Sequence, residues 1–347
     1  MARSIDALNT GLDDDFQQVI KQLQDIFVHA ATKTQGRATH TYGVAARGVA
    51  RIVVPVGFPE NDFLRPGKTY PVILRHSSPG GQKDNRARDG AATSLKFYQD
   101  TADPAATGFH DIMMNTGRVL FVRSARAFLA MVTTPNAERI EKLLKPGILR
   151  DDILAEGYRS GGSFTDFRYH SQICYELKDN FGAMSYLRYR LINADRGPER
   201  GTYPQSWKPN GITVYPPLPT DPRADDYLKQ DFVGRFQHGG VGYLLQAQRR
   251  DGDDAEAVNC TGLWDELRWP WCDLAEITLT EPLPVEALDV LTFDANWTAP
   301  GIDLPMVTSG LWPGLQADNH ASLGHARALV YGLARKARAA SPQPHVN

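Results

Sequence analysis

Cysteine is scarce in this chain. Three cysteines occur among 347 residues, Cys174, Cys260 and Cys272, and no two of them form a CxxC pair. None stands at metal-ligand spacing from a histidine, which argues against a structural zinc site. An odd, sparse set is typical of a reducing compartment rather than of a disulfide-stapled secreted domain. The sequence therefore predicts a cytoplasmic protein.

Excess positive charge and long apolar runs are also missing. Lysine and arginine number 38 against 40 acidic residues, a net charge of −2. A general nucleic-acid-binding protein is normally clearly basic, so no nucleic-acid partner is expected. No apolar run approaches the about 18 residues of a membrane-spanning helix, and the opening MARSIDALNTGLDDDF has no apolar signal-peptide core. No GxGxxG or Walker-type glycine loop occurs, which argues against a nucleotide site.

The periodicity of the remaining sequence predicts a helix, then many strands, then a second helix. The first helix covers about 13–33, with acidic residues in its first turn, and the last covers about 321–340. A further helical patch is predicted at 125–145. Strand-like runs are predicted at 48–56, 70–77, 93–98, 118–124, 164–177, 183–194, 240–250 and 273–283. We therefore expect an α+β protein, one domain over 1–347 with an antiparallel β-barrel core over about 36–315.

Two arginines and a tyrosine share one face of the C-terminal helix. Arg327, Tyr331 and Arg338 stand at i, i+4 and i+11. One interpretation is an ordinary basic amphipathic helix with a half-buried tyrosine. The other is a tyrosine that ionises, because a guanidinium one turn away and a ferric ion both favour the phenolate. A phenolate is one of the few protein ligands that hold haem iron.

The stretch GRATHTYGVAARG, residues 36–48, places Arg37, His40 and Arg47 ahead of a predicted strand. A solvated polar loop is the simpler interpretation of this stretch alone. A haem held by the C-terminal tyrosine gives a second interpretation. A site above the iron needs a base that moves a proton between the oxygens of a peroxide, and histidine suits that role. Nearby arginines would then meet the haem propionates.

Four segments, in order along the chain, resemble the catalase superfamily. RATHTYGVAARG resembles its R-x-x-H stretch, and 71–98 resembles R-F-S-x-x-G…R-D…A-x-K-F-Y. DIMMNTGRVLFVRSARAF resembles D-L-x-x-N-x-x-x-x-F-F-x-R-D…F, and RALVYGLARKAR resembles R-x-x-x-Y…R. Each fragment alone is weak, but four in order are specific. Within the superfamily the sequence looks most like the short haem proteins typified by coral-type allene oxide synthases and their bacterial relatives.

The resemblance implies a cofactor and a set of site residues. The cofactor is ferric haem b, with Tyr331 as the axial phenolate ligand of the metal and Arg327 as its partner. On the opposite side, the implied catalytic residues are His40, Asn115 and Thr39. The resemblance also implies that Ser77 supports the imidazole and that Phe128 faces the haem. The implied contacts of the propionates are Arg37, Arg75 and Arg338.

Three departures from full catalases bear on the expected reaction. Thr39 stands where catalases usually carry valine, as in the coral-type proteins, and its hydroxyl would restrain the imidazole and disfavour peroxide dismutation. The histidine of the catalase S-H-T-F strand is replaced, with Gln172 or Ile173 near that position on the Tyr331 side. We also expect the α-helical C-terminal domain of full catalases to be missing.

The resemblance implies an enzyme that breaks the O–O bond of an organic hydroperoxide, of the polyunsaturated fatty-acid type. Allene oxide or epoxy alcohol products are implied, without a reductant. Four alternatives stay open: a haem peroxidase with an external donor, residual catalase activity, a haem carrier or sensor, and a haem-free barrel that binds lipid. A lipid substrate also implies a peripheral membrane contact, and a homodimer is the assembly we expect.

Several other residues are predicted to be structural. His76 alternates with Arg75 along a predicted strand and so points to the opposite face. His325 is predicted to lie at the surface or behind the site, away from Tyr331. The tryptophans of WDELRWPWCD, at 264, 269 and 271, are predicted to pack against a wall of the barrel.

Overall fold

Helices flank the strand-rich middle of the chain in the computed structural model, which describes residues 2–308 and 315–340. Seven α-helices lie within those ranges: α1 (Ile5–Asn9), α2 (Asp14–Thr34), α3 (Ala125–Thr133), α4 (Asp151–Gly157), α5 (Tyr227–Gly234), α6 (Val285–Val290) and α7 (Ser322–Ala339). The same ranges contain twelve strands: β1 (Gly43–Ile52), β2 (Thr69–Ser77), β3 (Asp89–Gly90), β4 (Ala92–Phe97), β5 (His110–Asn115), β6 (Tyr158–Arg159), β7 (Tyr169–His170), β8 (Tyr175–Lys178), β9 (Met184–Asn193), β10 (Val241–Asp251), β11 (Cys272–Pro282) and β12 (Ile302–Asp303).

Eight of these strands close into one antiparallel barrel. Their order around the barrel is β1, β2, β4, β5, β7, β9, β10, β11 and back to β1. The pairing of β9 with β10 closes the sheet, so the barrel leaves no free edge at that seam. Strands β8 and β12 extend the sheet beyond β9, and β3 pairs with β6. The predicted antiparallel barrel with surrounding helices is confirmed.

Successive side chains of β2 point alternately into the barrel and to its outer face, which carries the site. Val72 and Leu74 belong to the main apolar core. His76 is fully buried, with Nε2 2.8 Å from the Tyr243 hydroxyl and its ring stacked on Phe164. Its predicted structural role is confirmed, and Arg75 points to the opposite, outer face of the strand.

Helices α2 and α7 pack against each other over that outer face. Asp13 caps α2, because its carboxylate accepts a hydrogen bond from Phe16 N at 2.7 Å. His325 of α7 packs edge-to-face against Phe16, and its Nε2 lies 2.7 Å from the Leu8 carbonyl oxygen. Of the two predicted placements of His325, at the surface or behind the site, the first is wrong, because the N-terminal segment covers this residue.

One further local prediction is wrong, and a second is right only in part. Residues 118–124 form a loop rather than a strand, because side-chain and loop groups bind their backbone: Leu120 N donates to Cys260 O, and Phe121 O accepts from Arg150 N. The helical patch predicted at 125–145 is interrupted: α3 ends at Thr133, and helical turns resume at Asn136–Glu138 and Ile140–Leu144. The residue before Pro135 is extended, since proline disfavours helical geometry at the preceding position.

Within residues 2–308 and 315–340, no helix combines the length and apolarity that crossing a bilayer requires.

Candidate active site

A cavity of about 360 Å³ lies between the outer face of the barrel and helices α2, α3 and α7. A recess of about 130 Å³ adjoins it, and the two share walls. The shared walls include five predicted site residues, which are Thr39, His40, Asn115, Arg327 and Tyr331. Segments from both ends of the chain thus meet in one cleft.

The backbone and the ring of His40 are both fixed by β2. His40 adopts a left-handed backbone conformation, with φ of 55°. Its Nδ1 lies 3.1 Å from Ser77 Oγ, and Arg75 donates to its carbonyl oxygen at 2.7 Å. With Nδ1 directed to the serine, Nε2 is the nitrogen that remains for the cavity.

The electrostatic environment keeps this imidazole neutral. Burial and three nearby arginines lower the pKa of His40 to about 3. In decreasing order of effect, these arginines are Arg75, Arg327 and Arg37. At neutral pH the ring can therefore accept a proton.

Asn115, at the end of β5, is held by a residue that the sequence placed elsewhere. Its Nδ2 donates to Gln172 Oε1 at 3.3 Å. Gln172 Nε2 in turn donates to three backbone carbonyls of the loop 116–119, at 3.1 to 3.4 Å. Ile173 instead packs beside Gly324 of α7. Of the two residues predicted near the Tyr331 side, Gln172 or Ile173, it is Ile173 that packs beside α7, and no local pattern signals the contact of Gln172 with Asn115.

The three predicted propionate arginines line the recess, and burial together with mutual repulsion destabilises their charge. The pKa of Arg37 is well below its ordinary value, through burial first and then Arg75 and Arg338. Burial and Arg338 lower the pKa of Arg75 to about 9. Arg75 Nε is buried and has no hydrogen-bond partner among the described residues.

Two of these guanidiniums also bind backbone carbonyls at the C-terminal end of α6, which the sequence did not predict. Arg37 donates to Leu288 O at 3.1 Å and to Leu291 O. Arg338 donates to the same two carbonyls, at 3.2 Å each, and to Asp289 O. They therefore tie both ends of the chain to the end of one short helix.

Tyr331 and Arg327 lie one turn apart on α7 and face the cleft. Neither side chain forms a hydrogen bond or an ion pair with any residue in the described ranges. Phe128 of α3 lines the cavity and stacks on Phe27, with ring centroids 6.3 Å apart. Within the same ranges, no hydrogen bond joins Thr39 to the imidazole, which bonds to Ser77 instead.

The barrel and the helices around it have the fold of the catalases. A fungal catalase superposes with a TM-score of 0.65 at 16% identity, over 88% of this chain and 60% of that one. Catalase A from Saccharomyces cerevisiae gives 0.66 at 16% identity, over 87% and 61%. No protein-family model matches the sequence.

The chain belongs to the family of the uncharacterized protein y4iK of Sinorhizobium fredii. The two are 45% identical over 240 residues, which cover 67% of this chain and all of that protein. The chain is also 30% identical to a linolenate 9R-lipoxygenase of Nostoc over 96% of its own length and 42% of the relative. An allene oxide synthase-lipoxygenase protein of Plexaura homomalla is 30% identical over 85% and 27%. The chain thus spans less than half of these two longer relatives.

Proposed function

We propose that this protein is a haem enzyme that breaks the O–O bond of a polyunsaturated fatty-acid hydroperoxide. The proposed products are of the allene oxide or epoxy alcohol type, formed without a reductant. The observation that carries the proposal is one cleft that presents an unbonded phenol, a neutral imidazole and a cluster of arginines. The names of the Nostoc and Plexaura relatives support the choice of substrate class.

The residues of the cleft fit a haem. A haem would need a protein ligand for its metal and cations for its two propionates. The hydroxyl of Tyr331 bonds to no described residue, so it would serve as the ligand, with Arg327 one turn away. The buried Arg75 Nε lacks a partner, and Arg37 and Arg338 surround the same recess. Two propionates would relieve the repulsion among these guanidiniums. The bound haem would supply the iron chemistry of O–O bond cleavage.

His40 would handle the hydroperoxide proton. Because its ring is neutral and Nδ1 faces Ser77, Nε2 can accept the proton from the O–H of the substrate. Asn115 would orient the same substrate. Its amide has two N–H donors, one of which is occupied by Gln172, and the other is left for a peroxide oxygen.

The far wall of the cavity favours a hydrocarbon chain over hydrogen peroxide alone. Apolar side chains from three segments line it, namely Leu120, Phe121, Met131, Val132, Ile153 and Leu154. A polyunsaturated tail would bury apolar area here, which stabilises binding by about 25 cal/mol per Å². A narrow polar channel for a small peroxide would need no such wall.

The test uses the full chain produced with ample haem precursor. A linoleate-type hydroperoxide is added without an electron donor, and loss of the conjugated-diene absorbance is followed. We expect turnover in the wild type, and a fall of about 10²–10⁴-fold in His40→Ala with haem content unchanged. Tyr331→Phe should lose haem or shift its spectrum strongly.

Two matched controls keep these outcomes specific. His238→Ala changes an exposed histidine, and Tyr203→Phe changes a tyrosine that stacks on Trp207 outside the cleft. Neither should alter haem content or turnover. Turnover that requires an added donor would assign a peroxidase, and oxygen release from hydrogen peroxide would assign a catalase. An unchanged haem spectrum in Tyr331→Phe would remove the phenolate ligand from the proposal.

A further inference from the structure

A second cavity, of about 220 Å³, lies on another part of the barrel wall. Strands β7 and β9 and the segment 263–271 enclose it. Its inner walls include His170, Arg188, Trp264 and Trp271. The proposed function uses none of these residues. Gln172 contributes to the walls of both cavities, so a ligand here would lie behind the side chain that holds Asn115.

Four buried nitrogens in this lining have no hydrogen-bond partner among the described residues. They are His170 Nδ1, Arg188 Nε, Trp264 Nε1 and Trp271 Nε1. The arginine and indole nitrogens are obligate donors. Buried polar groups in proteins are nearly always satisfied, so this many unsatisfied donors around one space indicate that something else accepts from them.

Arg188 is a buried cation without a counter-ion. This residue is only 4% exposed. Its two terminal nitrogens donate to the carbonyls of Gly262 and Asn259, each at 2.6 Å. It forms no ion pair with any carboxylate in the described ranges. Burial lowers its pKa to about 10, so it stays charged at neutral pH. The Trp264 ring lies 4.7 Å from the guanidinium carbon, which offsets part of the cost of burial.

The walls also favour an apolar body of moderate size. Two indole rings and Leu263 supply flat and apolar surface. An apolar cavity of about 150 Å³ in another protein accepts benzene, so this larger space has room for a ring with a polar substituent. Asp265 and Glu266 lie exposed at the rim. Their charges disfavour a multiply charged anion such as phosphate.

We infer that this second cavity binds a small aromatic or similarly compact monocarboxylate. The carboxylate accepts hydrogen bonds from Arg188 Nε and the two indole nitrogens, and the ring lies between the indoles. This site goes beyond the proposed function, because it lies outside the cleft of His40 and Tyr331.

Isothermal titration calorimetry on the full, haem-loaded chain tests the inference, with benzoate as the probe and benzyl alcohol as its uncharged counterpart. We expect saturable binding of benzoate at one site and none of benzyl alcohol. Trp264→Phe and Trp271→Phe keep a ring and remove one N–H each. Each should weaken benzoate binding about tenfold, a change of about 1.4 kcal/mol.

Trp269→Phe is the matched control, because Trp269 belongs to the same segment but does not line the cavity. It should leave the affinity unchanged, and thermal melts should confirm that all three variants fold. Arg188 is left intact because its terminal nitrogens hold the loop. The absence of saturable benzoate binding would mean that the cavity holds ordered water only and would overturn the inference. Benzoate affinity that survives both cavity substitutions, or equal binding of benzyl alcohol, would overturn it as well.

Discussion

At the scale of single residues, the site depends on how His40 is held. Its left-handed backbone is fixed by Arg75, and its ring is directed by Ser77. The same arginine is also the largest charge that lowers the pKa of the imidazole. One side chain therefore both positions the base and keeps it unprotonated.

A pH profile checks this arrangement. An ordinary histidine ring gains a proton as the pH falls through about 6.5. The pKa of His40 is lowered to about 3 by burial and by arginines that no propionate neutralises in the chain without haem. In that haem-free chain, we expect the NMR chemical shifts of the His40 ring to stay level between pH 8 and pH 5. A titration of these shifts with an apparent pKa near 6.5 would show that the imidazole is charged more easily than its surroundings indicate.

At the scale of elements, the start of β1 and the end of β2 form a close pair that makes room for the arginine. Gly43 pairs with Ser77. A Cβ at Gly43 would lie 2.4 Å from the His76 carbonyl oxygen and 2.7 Å from the guanidinium carbon of Arg75. Glycine is therefore required here by close approach.

Gly43→Ala should displace Arg75 and with it the His40 loop. Overpacking of this kind costs about 1–3 kcal/mol, so we expect the free energy of unfolding to fall by that amount in a denaturant titration. Turnover of a hydroperoxide should fall as well. Gly234→Ala is the control, because a Cβ there meets nothing within 4 Å. Equal behaviour of the two variants would mean that the contact at Gly43 relaxes without cost.

At the scale of the whole molecule, burial lowers the pKa of the half-buried His320 and strongly lowers the pKa of five other histidines. These are His40, His76, His110, His170 and His325. Each stays neutral in the folded chain and takes up a proton when the chain unfolds below about pH 6.5. Stability is therefore lost as the pH falls below that value.

Buried carboxyls act in the opposite direction. Burial raises the pKa of four of them, Asp89, Asp111, Glu176 and Asp294. They bind protons in the folded state and so gain stability on acidification. The histidines outnumber them, so we expect a net loss of stability between pH 7 and pH 5.

Thermal unfolding at several pH values measures this balance. Each net proton taken up on unfolding changes the stability by about 1.4 kcal/mol per pH unit. His76→Phe removes one of the five buried histidines, so it should reduce the slope of stability against pH by about 1.4 kcal/mol per pH unit. The substitution also leaves the Tyr243 hydroxyl unpaired. His238→Ala, at an exposed position, should leave the slope unchanged. A melting temperature that rises on acidification would show that the carboxyls dominate.

Much of the fold could be predicted from local pattern. Alternating residues predicted strands, and the face shared by Arg327 and Tyr331 predicted a helix, because these periodicities belong to neighbouring positions. The family resemblance rested on short motifs in order. The roles that those motifs imply for His40, Asn115 and Tyr331 stay predictions, and the structure places all three around one cleft.

Local sequence pattern could not predict the contacts between distant segments. Gln172 binds Asn115 across 57 positions, and Arg37 reaches the carbonyl of Leu291 across 254. The loop at 118–124 has the composition of a strand, but its backbone is bound by other groups. The second cavity likewise forms only where the segment around Trp264 folds over β9.

Residue types at short spacing were enough to establish the periodicities, the motifs and the family. Which side chains share a cavity, which guanidiniums bind backbone and which nitrogens lack a partner depended on the folded barrel. Closing the barrel brings distant segments within hydrogen-bond reach, and burial there changes the pKa values of their side chains. Spacing along a chain carries no record of that burial.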